Sequence, residues 1–189
     1  MTARSKRRTV LHALTTAAVI AAAAALWHNL PAPSEVYRPF DVRGGVGEQV
    51  SGRLFDVTVT GIRVGQQVQA PRRPVITALG RWILVDAELL ATRQEVLPSV
   101  ELLVGPAAYL PSDRFQFVQL GKALSPLITQ HGSWAFDVDP ELLNPSTHMA
   151  LRVWSGDSRL DSRLVVDIPF ADAVLEADPL ILPPTRESA

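Results

Sequence analysis

The sequence predicts an all-β fold: an immunoglobulin-like two-sheet sandwich of about seven strands, preceded by one N-terminal hydrophobic helix. From Val50 onward apolar residues alternate with polar ones, the pattern of strands that bury one face. Proline and glycine separate these runs at Pro71, Pro74, Gly80, Pro98, Gly105, Pro106, Pro111, Gly121, Pro126, Pro140, Pro145 and Gly156. Before them stands an uninterrupted apolar run, residues 10–27, with neither alternation nor formal charge.

That run, VLHALTTAAVIAAAAALW, covers about 27 Å as a helix, close to the roughly 30 Å hydrocarbon core of a bilayer. Val10, Leu11, Leu14, Val19, Ile20, Leu26 and Trp27 are its anchoring side chains, with Trp27 suited to the far interface. Arg4, Lys6, Arg7 and Arg8 precede it, and retention of basic residues inside places the N-terminus in the cytoplasm and the rest of the chain outside. The expected location is a cell membrane crossed once. The alanines at 21–25 also satisfy a small-residue cleavage site, so secretion after signal cleavage is the alternative, and both routes export the chain.

Residues 1–27 thus form the anchor or signal segment, and residues 28–47, with Pro31, Pro33, Pro39, Gly44, Gly45 and Gly47, read as a spacer. Residues 36–42 are a candidate edge strand within it. The sandwich is expected over 48–171. Its strands fall at 54–64 with a kink at Gly61, then at 82–90, 99–104, 114–118, 132–138, 149–154 and 163–170. In the second, Ile83, Val85, Ala87 and Leu89 face inward while Asp86 and Glu88 face outward; in the fifth, Trp134, Phe136 and Val138 face inward, opposite Ser133, Ala135 and Asp137. A proline-rich tail completes the chain over 172–189, where Leu180, Ile181 and Leu182 are bracketed by prolines. The prolines oppose helix and central strand, so the segment is expected to pack back along the domain or to be disordered; as an extended peptide it would make these three apolar residues candidate partner contacts.

Composition narrows the chemistry. With 18 basic and 19 acidic residues in 189, there is no electrostatic case for nucleic-acid binding. The four N-terminal basic residues precede the first acidic one, Glu35, so the formal charge of −1 for the whole chain becomes −5 for the remainder. The chain has no cysteine, which excludes disulfides, thiolate zinc sites and a cysteine nucleophile.

A Ser/His/Asp arrangement could be drawn only from Ser133, His131 and Asp137, because His12 and His28 belong to the hydrophobic segment and Ser133 lies in no G-x-S-x-G elbow. Strand-edge polar residues are the simpler expectation. Asp137, Asp139, Asp157 and Asp161 form no calcium loop, and Asp139-Pro140-Glu141 reads as the start of a helical turn. Gly44-Gly45-Val46-Gly47 lacks the following helix that a phosphate loop requires. Arg72-Arg73, between Pro71 and Pro74, reads as an ordinary exposed hairpin tip; contact with anionic headgroups is the alternative if the domain lies near a membrane. No catalytic, cofactor or metal site is expected.

The stretch 80–90 (GRWILVDAELL), then VELLV at 100–104, Tyr109, Asp113-Arg114-Phe115, GSWAFDV at 132–138 and MALRVW at 149–154 resembles the telokin-like immunoglobulin-fold domain of unknown function of bacterial surface and secreted proteins. The resemblance spans about residues 50–170 and implies an extracytoplasmic, non-enzymatic domain with no site to transfer. The expected function is therefore a membrane-anchored binding or accessory module that contacts a membrane or cell-envelope protein. The alternative is an exported carrier of a lipid or other small apolar ligand, held in a cavity between the sheets.

Overall fold

The computed structural model describes residues 3–29, 39–157, 161–176 and 179–188. The chain divides into two compact units, Met1–Arg38 and Pro39–Ala189. The first contains helix α1 (Ala3–Asn29), whose 27 residues extend for about 40 Å. The side-chain amide of Asn29 donates to the Ala25 carbonyl at 2.8 Å and satisfies one of the acceptors left open at a helix C-terminus. Among the described residues, no helix is long and apolar enough to cross a membrane. The side chains of Arg4, Lys6, Arg7, Arg8, Val10 and Leu11 lie outside the described residues.

The second unit is a sandwich of two sheets. Its strands are β1 (Phe40–Gly45), β2 (Gln49–Ser51), β3 (Phe55–Gln69), β4 (Ile76–Ala91), β5 (Pro98–Val104), β6 (Ala107–Tyr109), β7 (Thr129–Val138), β8 (His148–Ser155), β9 (Ser162–Pro169), β10 (Val174–Leu175), β11 (Leu180–Ile181) and β12 (Arg186–Ser188). The smaller sheet runs β1-β9-β8-β5-β6 and the larger β10-β3-β4-β7-β12, with β2 and β11 also paired to β3. Chain order alternates between sheets, because β3 and β4 lie in one, β5 in the other, β7 in the first again, and β8 and β9 in the second.

Alternation explains the core. Ile83, Val85, Ala87 and Leu89 of β4 and Trp134, Phe136 and Val138 of β7 meet Leu102, Val104, Met149, Leu151, Val153, Leu164, Val166 and Ile168 from the smaller sheet. All are at most 2% exposed, so the space between the sheets is filled by side chains. On β3 the inner row passes from Val57 and Val59 to Ile62 and Val64, a change of parity absorbed by a bulge between Val59 and Gly61, at the expected kink.

A second, smaller core lies on the opposite face of the larger sheet. Val68, Ala70, Trp82, Leu84, Phe115, Ala135, Leu180 and Leu182 cluster there, with Ile76 and Ala78 packed against them. A second irregularity between Gly65 and Gln67 of β3 re-aims the end of the β3–β4 hairpin, and the Trp82 indole donates to the Ile76 carbonyl at 3.1 Å. Across from it Asp137 accepts from the Leu79 and Gly80 amides at 3.0 and 2.9 Å. A Cβ on Gly80 would lie 2.2 Å from the Val138 carbonyl oxygen, so glycine is required at this close approach.

One sequence expectation is corrected and two are made more definite. Residues 114–118 do not form a strand; Asp113–Phe115 is a turn of 3-10 helix, started by the Ser112 side chain accepting from the Arg114 amide. Phe115 and Phe117 mimic alternation, but Phe115 is buried edge-on to Trp82, with ring centroids 5.2 Å apart, while Phe117 is exposed. The candidate edge strand of 36–42 is found as β1 over 40–45, parallel to β9 and running further into the expected spacer; residues 36–38 lie outside the described residues. The proline-rich tail is built into the larger sheet: β10 and β11 run parallel to β3, and β12 runs antiparallel to β7. Prolines are tolerated there because these are two- and three-residue edge strands.

Candidate functional site

The polar cleft of the larger sheet is built on the outward rows of three neighbouring strands. Register places Asp86 opposite Ser133 and Glu88 opposite His131, and the β3 bulge brings Gly61 opposite Asp86. The tail supplies a wall of Ile181, Pro183, Pro184 and Arg186. Together with Thr60 and Arg63 these residues enclose a surface cleft of about 530 Å³.

Two polar chains occupy its floor. In the first, Arg63 grips Asp86 bidentately, Nε to Oδ2 at 2.8 Å and Nη2 to Oδ1 at 2.7 Å. The Ser133 hydroxyl also donates to Asp86 Oδ1, and Arg63 Nη1 donates to the Ile181 carbonyl at 2.8 Å. Burial opposes the Arg63 charge, but the Asp86 hydrogen bonds and the charges of Asp86 and Glu176 outweigh it and raise its pKa above the ordinary arginine value. Such a fork ties β3, β4, β7 and the tail at one point.

In the second chain, His131 Nδ1 lies 3.2 Å from Glu88 Oε1 and its Nε2 lies 2.8 Å from Ser188 Oγ. Hydroxyl, imidazole and carboxylate follow in the order of a hydrolase relay. The His131 and Glu88 side chains are 39% and 44% exposed, however, so water competes for both contacts, and the hydroxyl sits on a three-residue edge strand. The arrangement fastens β12 to the sheet. Gln130 adds to it by donating to the Ala123 carbonyl at 2.9 Å and to Glu187 Oε1 at 3.2 Å.

The sequence candidates therefore separate. Ser133 bonds Asp86, His131 bonds Glu88, and Asp137 is taken up by the Leu79 and Gly80 amides, so these three form no relay. Asp139 accepts from the Glu141 amide at 2.9 Å and starts the turn Pro140–Leu142, as the sequence suggests. Among the described residues no group of three or more histidine, aspartate, glutamate or cysteine side chains is placed to hold a metal ion. Leu180 and Leu182 are fully buried, so for these two the segment packs against the domain and the partner-contact reading is corrected; Ile181, 57% exposed, alone of the three faces outward. The smaller sheet's outer face carries ion pairs at Arg43–Asp167, Arg163–Asp41 and Arg152–Glu101. The Arg163 hydrogen bond holds the Asp41 carboxyl below its ordinary pKa, against the effect of burial.

Arg63 and Asp86 were not among the sequence candidates. The outward parity of Asp86 was legible, but its pairing with Arg63 depends on the bulge and on cross-strand register. Asp86→Ala should lower the unfolding free energy by about 2 kcal/mol, between the values for surface and buried pairs, because it strands a half-buried guanidinium and the Ser133 hydroxyl. Urea unfolding checks this, and Arg63→Met combined with Asp86→Leu should cost less than Asp86→Ala alone.

Fold and site define a two-sheet β-sandwich protein with a polar, tail-walled cleft on the larger sheet. No family model matches the chain, and no curated protein matches it. It is similar to the solved structure of an uncharacterized β-sandwich protein from Clostridium difficile 630, with 17% identity, 69% of this chain and 95% of that chain covered, and a TM-score of 0.46. It is also similar to a conserved hypothetical protein from Bacillus anthracis, with 17% identity, 62% and 93% covered, and a TM-score of 0.44.

Proposed function

We propose that this chain is a binding or accessory module, an immunoglobulin-like domain of telokin-like type held at the extracytoplasmic face of a cell membrane by α1 and acting through contacts with a membrane or cell-envelope protein. The observation that carries the membrane placement is the distribution of apolar side chains on α1. Leu14, Val19, Ile20, Leu26 and Trp27 are 63–77% exposed. At 3.6 residues per turn they fall in three directions roughly 120° apart: Leu14, then Val19 with Leu26, then Ile20 with Trp27. Large apolar side chains spread over three directions form no single stripe suited to one protein surface. The charge-free run from Val10 to Trp27 behind Arg4, Lys6, Arg7 and Arg8 supports the same placement and its orientation. A binding role is favoured over a catalytic one because the polar floor of the cleft is held in internal pairs that fasten the tail.

A reporter active only outside the cytoplasm, fused after Ala189, should be active in cells, and neutralising Arg4, Lys6, Arg7 and Arg8 together should reduce that activity. Activity of a cytoplasm-only reporter at the same position would overturn the orientation.

A further inference from the structure

We propose that the corner formed by the β3–β4 turn and the 113–118 turn is a docking surface for an anionic lipid bilayer, a deepening that rests on the membrane placement above. Arg73 Nη1 donates to the Arg114 carbonyl at 3.2 Å, and Arg114 Nη1 donates to the Thr77 carbonyl at 3.4 Å, so two turns distant in sequence are stitched together with Arg72, Arg73 and Arg114 exposed. Among the described residues none of these three guanidiniums has a carboxylate partner, although five of the other arginines do. Asp113 is the only acidic residue in the two turns. Three unneutralised arginines thus gather at one corner of a body whose formal charge is −5 beyond the basic N-terminus.

The backbone favours a role for the side chain. Arg72 has φ +56°, in the left-handed region where glycine or asparagine fits at less cost. The apolar residues beside these arginines complete the chemistry: Phe117 is 70% exposed and Val75 44% exposed. Guanidinium groups pair with phosphate oxygens, while apolar side chains enter the headgroup boundary. An acidic protein surface would satisfy the arginines but gives no equal account of Phe117.

The absence of cysteine allows a single label at Val75→Cys in the full chain. The chain is mixed with vesicles of phosphatidylcholine alone or of two parts phosphatidylcholine to one part phosphatidylglycerol, each carrying a headgroup-level quencher. Quenching should be stronger in the anionic vesicles and should weaken with salt. The docked-to-free ratio should fall about fivefold for each arginine neutralised in Arg72→Gln, Arg73→Gln and Arg114→Gln, equivalent to about 1 kcal/mol each. Arg72→Gly supplies a variant in which folding is not at risk: it should raise the melting temperature by relieving the left-handed residue, yet weaken docking by about the same fivefold. Equal quenching in the two vesicle types, or full quenching by the triple variant, overturns the proposal. Protection of the label by polyglutamate with no response to phosphatidylglycerol also overturns it, in favour of an acidic polypeptide. Co-flotation with phosphatidylcholine vesicles reads α1 separately, so failure of the anchor and failure of the corner give different results.

Discussion

Trp134→Ala should lower the unfolding free energy by about 3–5 kcal/mol, the range for deleting a large aromatic from a packed core. The indole is fully buried on the inner row of β7, where it opposes Val85 of β4 and belongs to the cluster that fills the space between the sheets. Relaxation around the deletion is restricted, because pairing with β4 fixes this part of β7 and the facing sheet supplies closely packed side chains. Trp134→Phe makes the test more specific. Trp134 Nε1 is a buried donor without a partner among the described residues, so phenylalanine loses part of the volume but also removes an unsatisfied polar group. Its cost should be well below that of alanine. Denaturant unfolding of the two variants checks both statements, and equal losses would show that the orphaned donor carries no penalty.

That inward position was legible because Trp134, Phe136 and Val138 alternate with Ser133, Ala135 and Asp137, a period that only an extended strand satisfies. Gly61 was legible for a related reason, since the parity of apolar residues changes beside it and an inserted residue is the local way to preserve one inner face. The second core was harder to read. Trp82, Ile83, Leu84 and Val85 are four consecutive apolar residues, which marks a strand buried on both faces, but the sequence does not say what covers the outer one. The cover comes from Phe115, whose turn imitates a strand, and from Leu180 and Leu182, whose alternation lasts only three residues and is flanked by prolines. The cleft followed the same division. Period two identified Asp86, Glu88 and Ser133 as outward, whereas His131 fell outside the expected strand and the partners depend on cross-strand register and on a tail that local sequence reads as irregular.

Removal of the tail's two buried leucines is expected to have the other large effect. Leu180→Ala and Leu182→Ala should each cost about 2–4 kcal/mol, because both side chains are fully buried against Val68, Trp82, Leu84 and Phe115. Ile181→Ala, at 57% exposure between them, should cost well under 1 kcal/mol. The contrast within three consecutive residues separates packing from any general disturbance of the tail. The double variant Leu180→Ala/Leu182→Ala should do more than sum the cavities. Leu180 pairs with Val68, and the Leu182 amide donates to the Gln69 carbonyl at 3.0 Å, so loss of their packing weakens the attachment that leads into β12. Freed of that attachment, Pro183 and Pro184 no longer wall the cleft, and the Arg63 contact to the Ile181 carbonyl is lost with them. Hydrogen exchange should then show faster exchange at the amides of β11 and β12 than at β4, while the inner sandwich core remains protected. Uniform acceleration across β4, β7 and β8 would instead mean that the tail's cover and the sandwich unfold as one unit, making the second core part of the fold rather than a separable strap.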